Sequence, residues 1–212
     1  MTEVKICGLT TPETLDAALE GGAAYVGAVI FPKSPRHIEP EDAGELFAAA
    51  RGRAKIVAVV VDPDDALLLR IAEHLKPDLI QLHGSETPQR AAQVRSMTGS
   101  GIIKALPIRD AADFDTAPDW EGVADILLFD AKPPAGADLP GGVGHSFDWC
   151  LIADRSISAK WFLAGGLDVA NIGEALRITR APMVDVSSGV ERAPGVKDIT
   201  LIHEFLATAR RS

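Results

Sequence analysis

Two stretches decide the reading of this chain. Val4-Lys5-Ile6-Cys7-Gly8-Leu9-Thr10 opens it, and Ile126-Leu127-Leu128-Phe129-Asp130 lies past its middle. Each is a short apolar run that ends on a reactive side chain, a thiol in the first and a carboxyl in the second. Further apolar runs fall at about 25–30, 55–61, 78–82, 101–105, 160–164 and 183–186, and with 3–7 and 125–130 they make eight. Most are continuous rather than alternating, the pattern of strands covered on both faces. Helical stretches separate nearly all of them, which predicts a parallel sheet with crossover helices. Eight units in 212 residues leave about 26 residues each, tight but workable for a (β/α)8 TIM barrel. An open doubly wound sheet is the structural alternative, and length alone does not reject it.

The helix starts are marked. Pro12-Glu13 opens the first, with Thr11 as N-cap, and Pro40-Glu41-Asp42 opens the second. Pro63-Asp64-Asp65 opens the third. Ser85-Glu86-Thr87-Pro88 opens the fourth, with acidic residues suited to the positive end of a helix. The region 110–118 is short, and the last helix, 198–210, ends on Arg210 and Arg211. The longest irregular stretch, 132–144, is rich in Pro and Gly and follows strand six; a loop of that length is more often functional than idle.

Composition bounds the answer. Apolar residues make up 47% of the chain, which suits one globular domain over residues 1–212. The net charge of -9 speaks for solubility and against a nucleic-acid footprint. The apolar runs are strand-sized, so no membrane span is expected. The chain enters a strand within a few residues, which leaves no room for a signal peptide and favours a cytoplasmic protein. Two cysteines, Cys7 and Cys150, are too few for a disulfide scaffold.

In a barrel the active site lies at the C-terminal ends of the strands. There the chain carries Cys7, the segment Phe31-Pro32-Lys33-Ser34-Pro35-Arg36, Asp62, Gln81-Leu82-His83-Gly84, Asp130, Ala164-Gly165-Gly166 and Asp185-Val186-Ser187-Ser188-Gly189-Val190-Glu191. Gly165 and Gly166 let a backbone approach a ligand closely. Ser187, Ser188 and Gly189 offer amides and hydroxyls at the expected start of a short helix, and the loops after strands seven and eight are the recurring phosphate position of such barrels. The plainer reading makes both glycine segments ordinary turns. Arg36 suits a bidentate carboxylate or phosphate, against the plain alternative of a surface arginine. A lone strand cysteine is usually core, yet Gly8 leaves Cys7 poorly shielded. Cys150, at a helix start, reads as structural. Asp130 closes an apolar run, so burial should raise its pKa and suit it to give a proton. Of five histidines only His83 ends a strand, where it could stack on or hydrogen-bond a ligand. No grouping has metal-ligand spacing, and no nucleotide-binding glycine motif follows a strand, so neither metal nor cofactor is expected.

Lys5-Ile6-Cys7-Gly8-Leu9-Thr10, Ser34-Pro35-Arg36, Gln81-Leu82-His83-Gly84, Phe147-Asp148-Trp149, Leu163-Ala164-Gly165-Gly166-Leu167 and Asp185 to Glu191 occur in this order. Together they closely resemble the phosphoribosylanthranilate isomerase family of tryptophan biosynthesis, from about Val4 to Phe205. The resemblance implies a cofactor-free (β/α)8 barrel and an Amadori rearrangement of a small phosphorylated substrate. It implies Cys7 as general base, Asp130 as general acid and Arg36 as partner of the anthranilate carboxylate. It implies phosphate held by backbone around Gly165, Gly166, Ser188 and Gly189. Family members are monomers or homodimers, and no apolar stripe decides between them here. Two departures stand out: Val143 in Gly141-Gly142-Val143-Gly144, where the family usually has threonine, and Thr11, where arginine is frequent.

Two rival readings are weighed. The histidine-pathway isomerase runs the same rearrangement, but aspartate stands there where Cys7 stands here, and its two-phosphate substrate asks for a second phosphate site in the first half of the chain. A silent barrel that only binds a phosphorylated ligand would not need both Cys7 and Asp130. For thiolate chemistry Cys7 would gain from a nearby positive charge, and Lys5, two residues back on the same strand face, is the candidate.

Overall fold

The computed structural model describes residues 2–131, 146–153, 155 and 157–211. The Pro/Gly-rich loop, with its departure at Val143, lies outside the described residues.

Eight parallel strands close into a barrel in sequence order: β1 Glu3–Cys7, β2 Tyr25–Val29, β3 Lys55–Val60, β4 Leu79–Leu82, β5 Gly101–Ile108, β6 Ile126–Ala131, β7 Lys160–Leu163 and β8 Met183–Val186. Closure is made by β1 against β8, with Lys5 opposite Asp185, while on the other side Cys7 lies opposite Gly27 of β2. The open-sheet alternative is thereby removed.

The helices are α1 Pro12–Glu20, α2 Pro40–Leu46, α3 Asp65–His74, α4 Pro88–Thr98, α5 Cys150–Ala153, α6 Ile172–Thr179 and α7 Ile199–Arg211, with a 3-10 segment at Ala111–Trp120. Thr11, Asp64 and Thr87 cap α1, α3 and α4 by accepting backbone N–H bonds. Thr11 thus has a local reason for standing where the family often has arginine. The 3-10 segment is closed by a reciprocal box between Asp110 and Asp113.

Two apolar layers result, as continuous apolar strands require. Side chains such as Val29, Val57, Val59, Leu79, Ile103, Leu128, Phe162 and Met183 fill the barrel interior. The alternate set, including Ile6, Val26, Ile56, Ile80, Phe129 and Val184, meets the helices outside.

Two differences from the sequence reading matter for the site. No helix begins at Ser187–Gly189. The chain instead makes a turn and a small antiparallel hairpin, β9 Glu191–Ala193 with β10 Val196–Lys197, before α7. The buried Lys197 ammonium donates to the Ser187 carbonyl and pairs with Glu191, so this segment is satisfied by the hairpin. In addition, Glu86 does not serve the start of α4 as an exposed acid. Its carboxylate, 2% exposed, pairs with Lys104 at 2.8 Å and accepts from the Asp62 and Gly84 amides. Lys104 also donates to the Gly84 carbonyl and lies over the Trp120 ring. This buried strut fastens the ends of β3, β4 and β5 together.

Removing one partner of a buried ion pair leaves the other charge stranded. Glu86→Ala is therefore expected to lower unfolding free energy by about 3–5 kcal/mol, measured by urea denaturation. Adding Lys104→Met should recover part of the loss. Wild-type stability in the single variant would show that the strut bears no load.

Candidate active site

Because all eight strands run the same way, their C-terminal ends share one mouth. Period-two alternation turns Lys5 and Cys7 of β1, Gln81 and then His83 at the end of β4, Asp130 of β6, Ala164 after β7, and Asp185 and then Ser187 at the end of β8 toward the interior.

Cys7 is 6% exposed. The chain turns sharply after it: Gly8 has φ +77, and the Gly8 and Leu9 amides both donate to the Gly27 carbonyl. A Cβ at Gly8 would stand 2.7 Å from Cδ of Arg36, so this glycine makes room for the arginine stem across the end of β1. Burial pushes the Cys7 thiol up; the Lys5 charge pulls it down, Asp185 pushes it up again and Lys197 pulls it down, and burial wins. Neither Cys7 nor Cys150 is in a disulfide, and Cys150, at the first position of α5, is exposed.

Arg36 is buried rather than on the surface. Its Nε donates to Glu191 Oε1 at 2.7 Å and a terminal nitrogen donates to Oε2 at 2.9 Å, a bidentate fork. Glu191 also receives Lys197 Nζ at 2.7 Å, and Lys197 donates to the Ser187 hydroxyl. The Ser187 hydroxyl in turn donates to the Cys7 carbonyl at 3.2 Å. Burial alone would raise Glu191, but the hydrogen bond from Arg36 and the charge of Lys197 hold it below the usual carboxylate range. Lys197 itself is lowered by burial, against the pull of Glu191.

Asp130 is 7% exposed, as an apolar run predicts, yet it is not merely desolvated. One oxygen accepts the Ala131 amide at 2.9 Å, and the other faces His83 Nε2 at 3.1 Å. Gln81 Nε2 meets His83 Nδ1 at 2.9 Å. With the Gln81 amide donating, Nδ1 accepts, and the imidazole proton sits on Nε2 toward Asp130. His83 therefore orients the carboxyl, a role the sequence reading did not assign to it.

The loops after β7 and β8 lie side by side, joined by a parallel bridge between Asp168 and Gly189. Their glycines are demanded by the chain's own packing. A Cβ at Gly165 would fall 2.4 Å from the Ala131 nitrogen and 3.0 Å from Asp130 Oδ1, and one at Gly189 would fall 1.9 Å from the Leu167 carbonyl oxygen. Gly166 holds φ +63. Ser188 lies beside Gly189 in the same turn. Asp185 is occupied by Lys5 at 3.0 Å.

The mouth thus gathers Cys7, Arg36, His83, Asp130, Asp185, Ser187 and the paired loops carrying Gly165, Gly166, Ser188 and Gly189. Sequence reading missed Glu191, Lys197 and the work of Gln81. Gln81 was within reach, since it stands two residues before His83 and so shares its face. Among the described residues no His, Cys, Asp and Glu group could hold a metal ion. No described helix is long and apolar enough to cross a membrane.

A family model described as N-(5'phosphoribosyl)anthranilate (PRA) isomerase matches residues 4–208. The N-(5'-phosphoribosyl)anthranilate isomerase of Rhizobium meliloti (strain 1021) is 53% identical over 211 residues, covering 100% of this chain and 98% of the relative. The crystal structure of phosphoribosyl anthranilate isomerase from Thermotoga maritima superposes with TM-score 0.88 at 34% identity, over 100% of both chains. A crystal structure of such an isomerase in complex with reduced 1-(o-carboxyphenylamino)-1-deoxyribulose 5-phosphate superposes with TM-score 0.85 at 32% identity, again over 100% of both.

The contact at Gly189 yields a stability expectation. Gly189→Ala must part the two loops and should cost about 1–3 kcal/mol, the usual range for overpacking, while Ser188→Ala should stay within about 0.5 kcal/mol of wild type. Thermal melts of both variants check this, and equal melting temperatures would contradict it.

Proposed function

The chain belongs to the N-(5'-phosphoribosyl)anthranilate isomerase family, and from that premise we propose which of its residues carry the family's reaction. The reaction is the Amadori rearrangement of N-(5-phosphoribosyl)anthranilate to 1-(2-carboxyphenylamino)-1-deoxyribulose 5-phosphate in tryptophan biosynthesis.

Asp130, protonated, gives its proton to the ribose ring oxygen. The ring opens as the anthranilate nitrogen lone pair forms the carbon–nitrogen double bond. Cys7, as thiolate, takes the proton from C2 of the sugar, and the enolamine that results tautomerises to the ketone. The chemistry needs an acid and a base with separate tasks. The observation that carries this reading is that a thiol with the Lys5 ammonium as neighbour and a carboxyl held by His83 and the Ala131 amide face one barrel interior from the ends of β1 and β6.

Arg36 takes the anthranilate carboxylate, with Glu191 fixing the guanidinium plane. The substrate phosphate lies against the loops of Gly165, Gly166, Ser187, Ser188 and Gly189. The two glycine-bearing loops support that reading by their adjacency, not by their bareness, which packing accounts for. His83 and Asp185 border the sugar. No step calls for a metal or a cofactor. A phosphorylated, anionic substrate that cannot leak through a membrane supports a cytoplasmic enzyme.

A fluorescence assay with enzymatically generated phosphoribosylanthranilate tests the assignment. Cys7→Ala and Asp130→Asn should each lower kcat by about 10²–10⁴-fold, the usual contribution of one acid–base group, with the fold kept. Near-native turnover in Cys7→Ala, or a change confined to KM in Asp130→Asn, would sink the corresponding role.

Arg36→Met should weaken substrate and product binding by roughly 1.5–3 kcal/mol, the range for a charge-assisted hydrogen bond. An analogue lacking the carboxylate should then lose little further affinity in the variant. Equal sensitivity of wild type and variant to loss of that group would place the carboxylate elsewhere.

A further inference from the structure

Lys5 is entirely buried inside the barrel, among the largest fully buried side chains of the protein. A lysine there needs a reason, because an apolar side chain of similar volume usually fills such a space at no loss of stability. Asp185 is the immediate partner, 3.0 Å away and directly opposite on β8. That pairing explains how the charge survives burial but not why it is present.

The reason lies two residues further along the same face. Cys7 follows Lys5 on β1, and on the neighbouring strand the position opposite Cys7 is Gly27. A Cβ built on Gly27 would lie 3.1 Å from Cys7 Sγ and 3.3 Å from Lys5 Cε at once. Any side chain at position 27 would thus enter the space where the ammonium stem and the sulfur meet. At Gly27 the barrel interior omits a side chain, and the gap is where these two groups converge.

We propose that Lys5 is a positioning residue for the Cys7 base: anchored by Asp185 beneath the thiol, its ammonium holds the sulfur as thiolate during proton abstraction, and Gly27 leaves the room for that contact. The proposal rests on Cys7 being the base. The charged groups that face Cys7 are Lys5 on its own strand, Asp185 on β8 and Lys197 on β10, with Glu191 and Arg36 behind Lys197; β2 contributes only the bare Gly27 at this level. Burial would lower Lys5, but Asp185 and then Cys7 lift it above the ordinary lysine value, so it stays an ammonium. Burial of the sulfur works against the thiolate, and Lys5 is the strongest influence opposing it. Asp185 therefore has two effects of opposite sense: it keeps Lys5 charged and in place, and its own negative charge disfavours the thiolate.

This double role gives a test that a merely structural pair would fail. In a Cys150→Ser background, which removes the exposed second thiol, thiolate absorbance is followed against pH with the Cys7→Ala protein as reference. Lys5→Met should move the Cys7 midpoint up by about 1–3 pH units, the range for one close charge. Lys5→Arg, which keeps the charge, should stay near wild type. The acid limb of kcat/KM should move in the same directions. The double variant Lys5→Met/Asp185→Leu should keep wild-type stability or gain some, yet lose turnover. An unmoved midpoint in Lys5→Met, or one that moves as far in Lys5→Arg, overturns the proposal. Should Lys5→Met fail to fold, the double variant Lys5→Met/Asp185→Leu, which strands no charge, decides: its midpoint should still move up, because Lys5 acts on the sulfur more strongly than Asp185 does. Midpoints that move as stated while Cys7→Ala still turns over would remove the base assignment and keep the coupling; unmoved midpoints with an inactive Cys7→Ala would do the reverse.

Discussion

Where β8 meets β1, Lys5 and Asp185 face each other across the seam that makes a closed barrel out of a sheet. Side chains alternate in and out along a strand, so a slip of one residue at this seam would turn Lys5 and Cys7 outward among the helices and strand both charges. Apolar pairs at the seam would tolerate such a slip better than an ion pair does. The interaction thus fixes register where the two ends of the sheet join, and register decides which side chains share the interior. Everything said of the mouth follows from that sharing: a thiol from the start of the chain and a carboxyl from its middle can meet one small molecule only if the seam is in frame.

The two groups proposed to react, Cys7 and Asp130, lie against separate polar networks. On one side Arg36, Glu191, Lys197 and Ser187 run in sequence to the carbonyl of Cys7. On the other, Gln81, His83 and the Ala131 amide surround Asp130. Groups that share a network titrate together and lose their individual character. Separate networks let the surroundings of each group be set without disturbing the other, as the proposed division into acid and base would require. The buried cations Lys5, Arg36 and Lys197 gather on the thiol side, whereas an imidazole and a backbone amide face Asp130.

Much of the barrel was legible because burial on both faces writes each strand as an unbroken apolar run, and Pro with Ser, Thr or Asp writes the helix starts. The one clear miss in strand length is β5, which continues through Leu106, Pro107 and Ile108. Pro107 reads as a stop, but β4 ends opposite Lys104, so beyond that point only β6 pairs with β5 and the missing N–H costs no ladder bond on the β4 side. Cys7 and Asp130 stood out because a polar residue closing an apolar run marks a strand end. Glu191 and Lys197 did not, since their partners Arg36 and Ser187 come from other turns of the chain, and Arg36 is 155 residues from Glu191. The hairpin that carries them is short and polar and has no periodicity to read. Gly165 and Gly189 were noticed for a ligand's sake, whereas the nearest atoms explain them by close approach of the chain to itself.

That hairpin has a consequence for how such a barrel can diversify. It holds the partner of Arg36 and a cation that acts on Cys7, and Gly195 at its turn lies so close to the Pro35 carbonyl that a Cβ there would sit 2.3 Å away. Specificity on barrels is commonly changed one loop at a time, by exchange or drift, while the strands are left alone. Here the loop after β2 and the hairpin after β8 form one packed unit. A graft of either without the other would bring a guanidinium without its carboxylate, or a carboxylate without its guanidinium, into a buried corner beside the reacting sulfur. Change is therefore more accessible to this scaffold through the loops on the Asp130 side, because the Arg36 corner can be exchanged only as a whole.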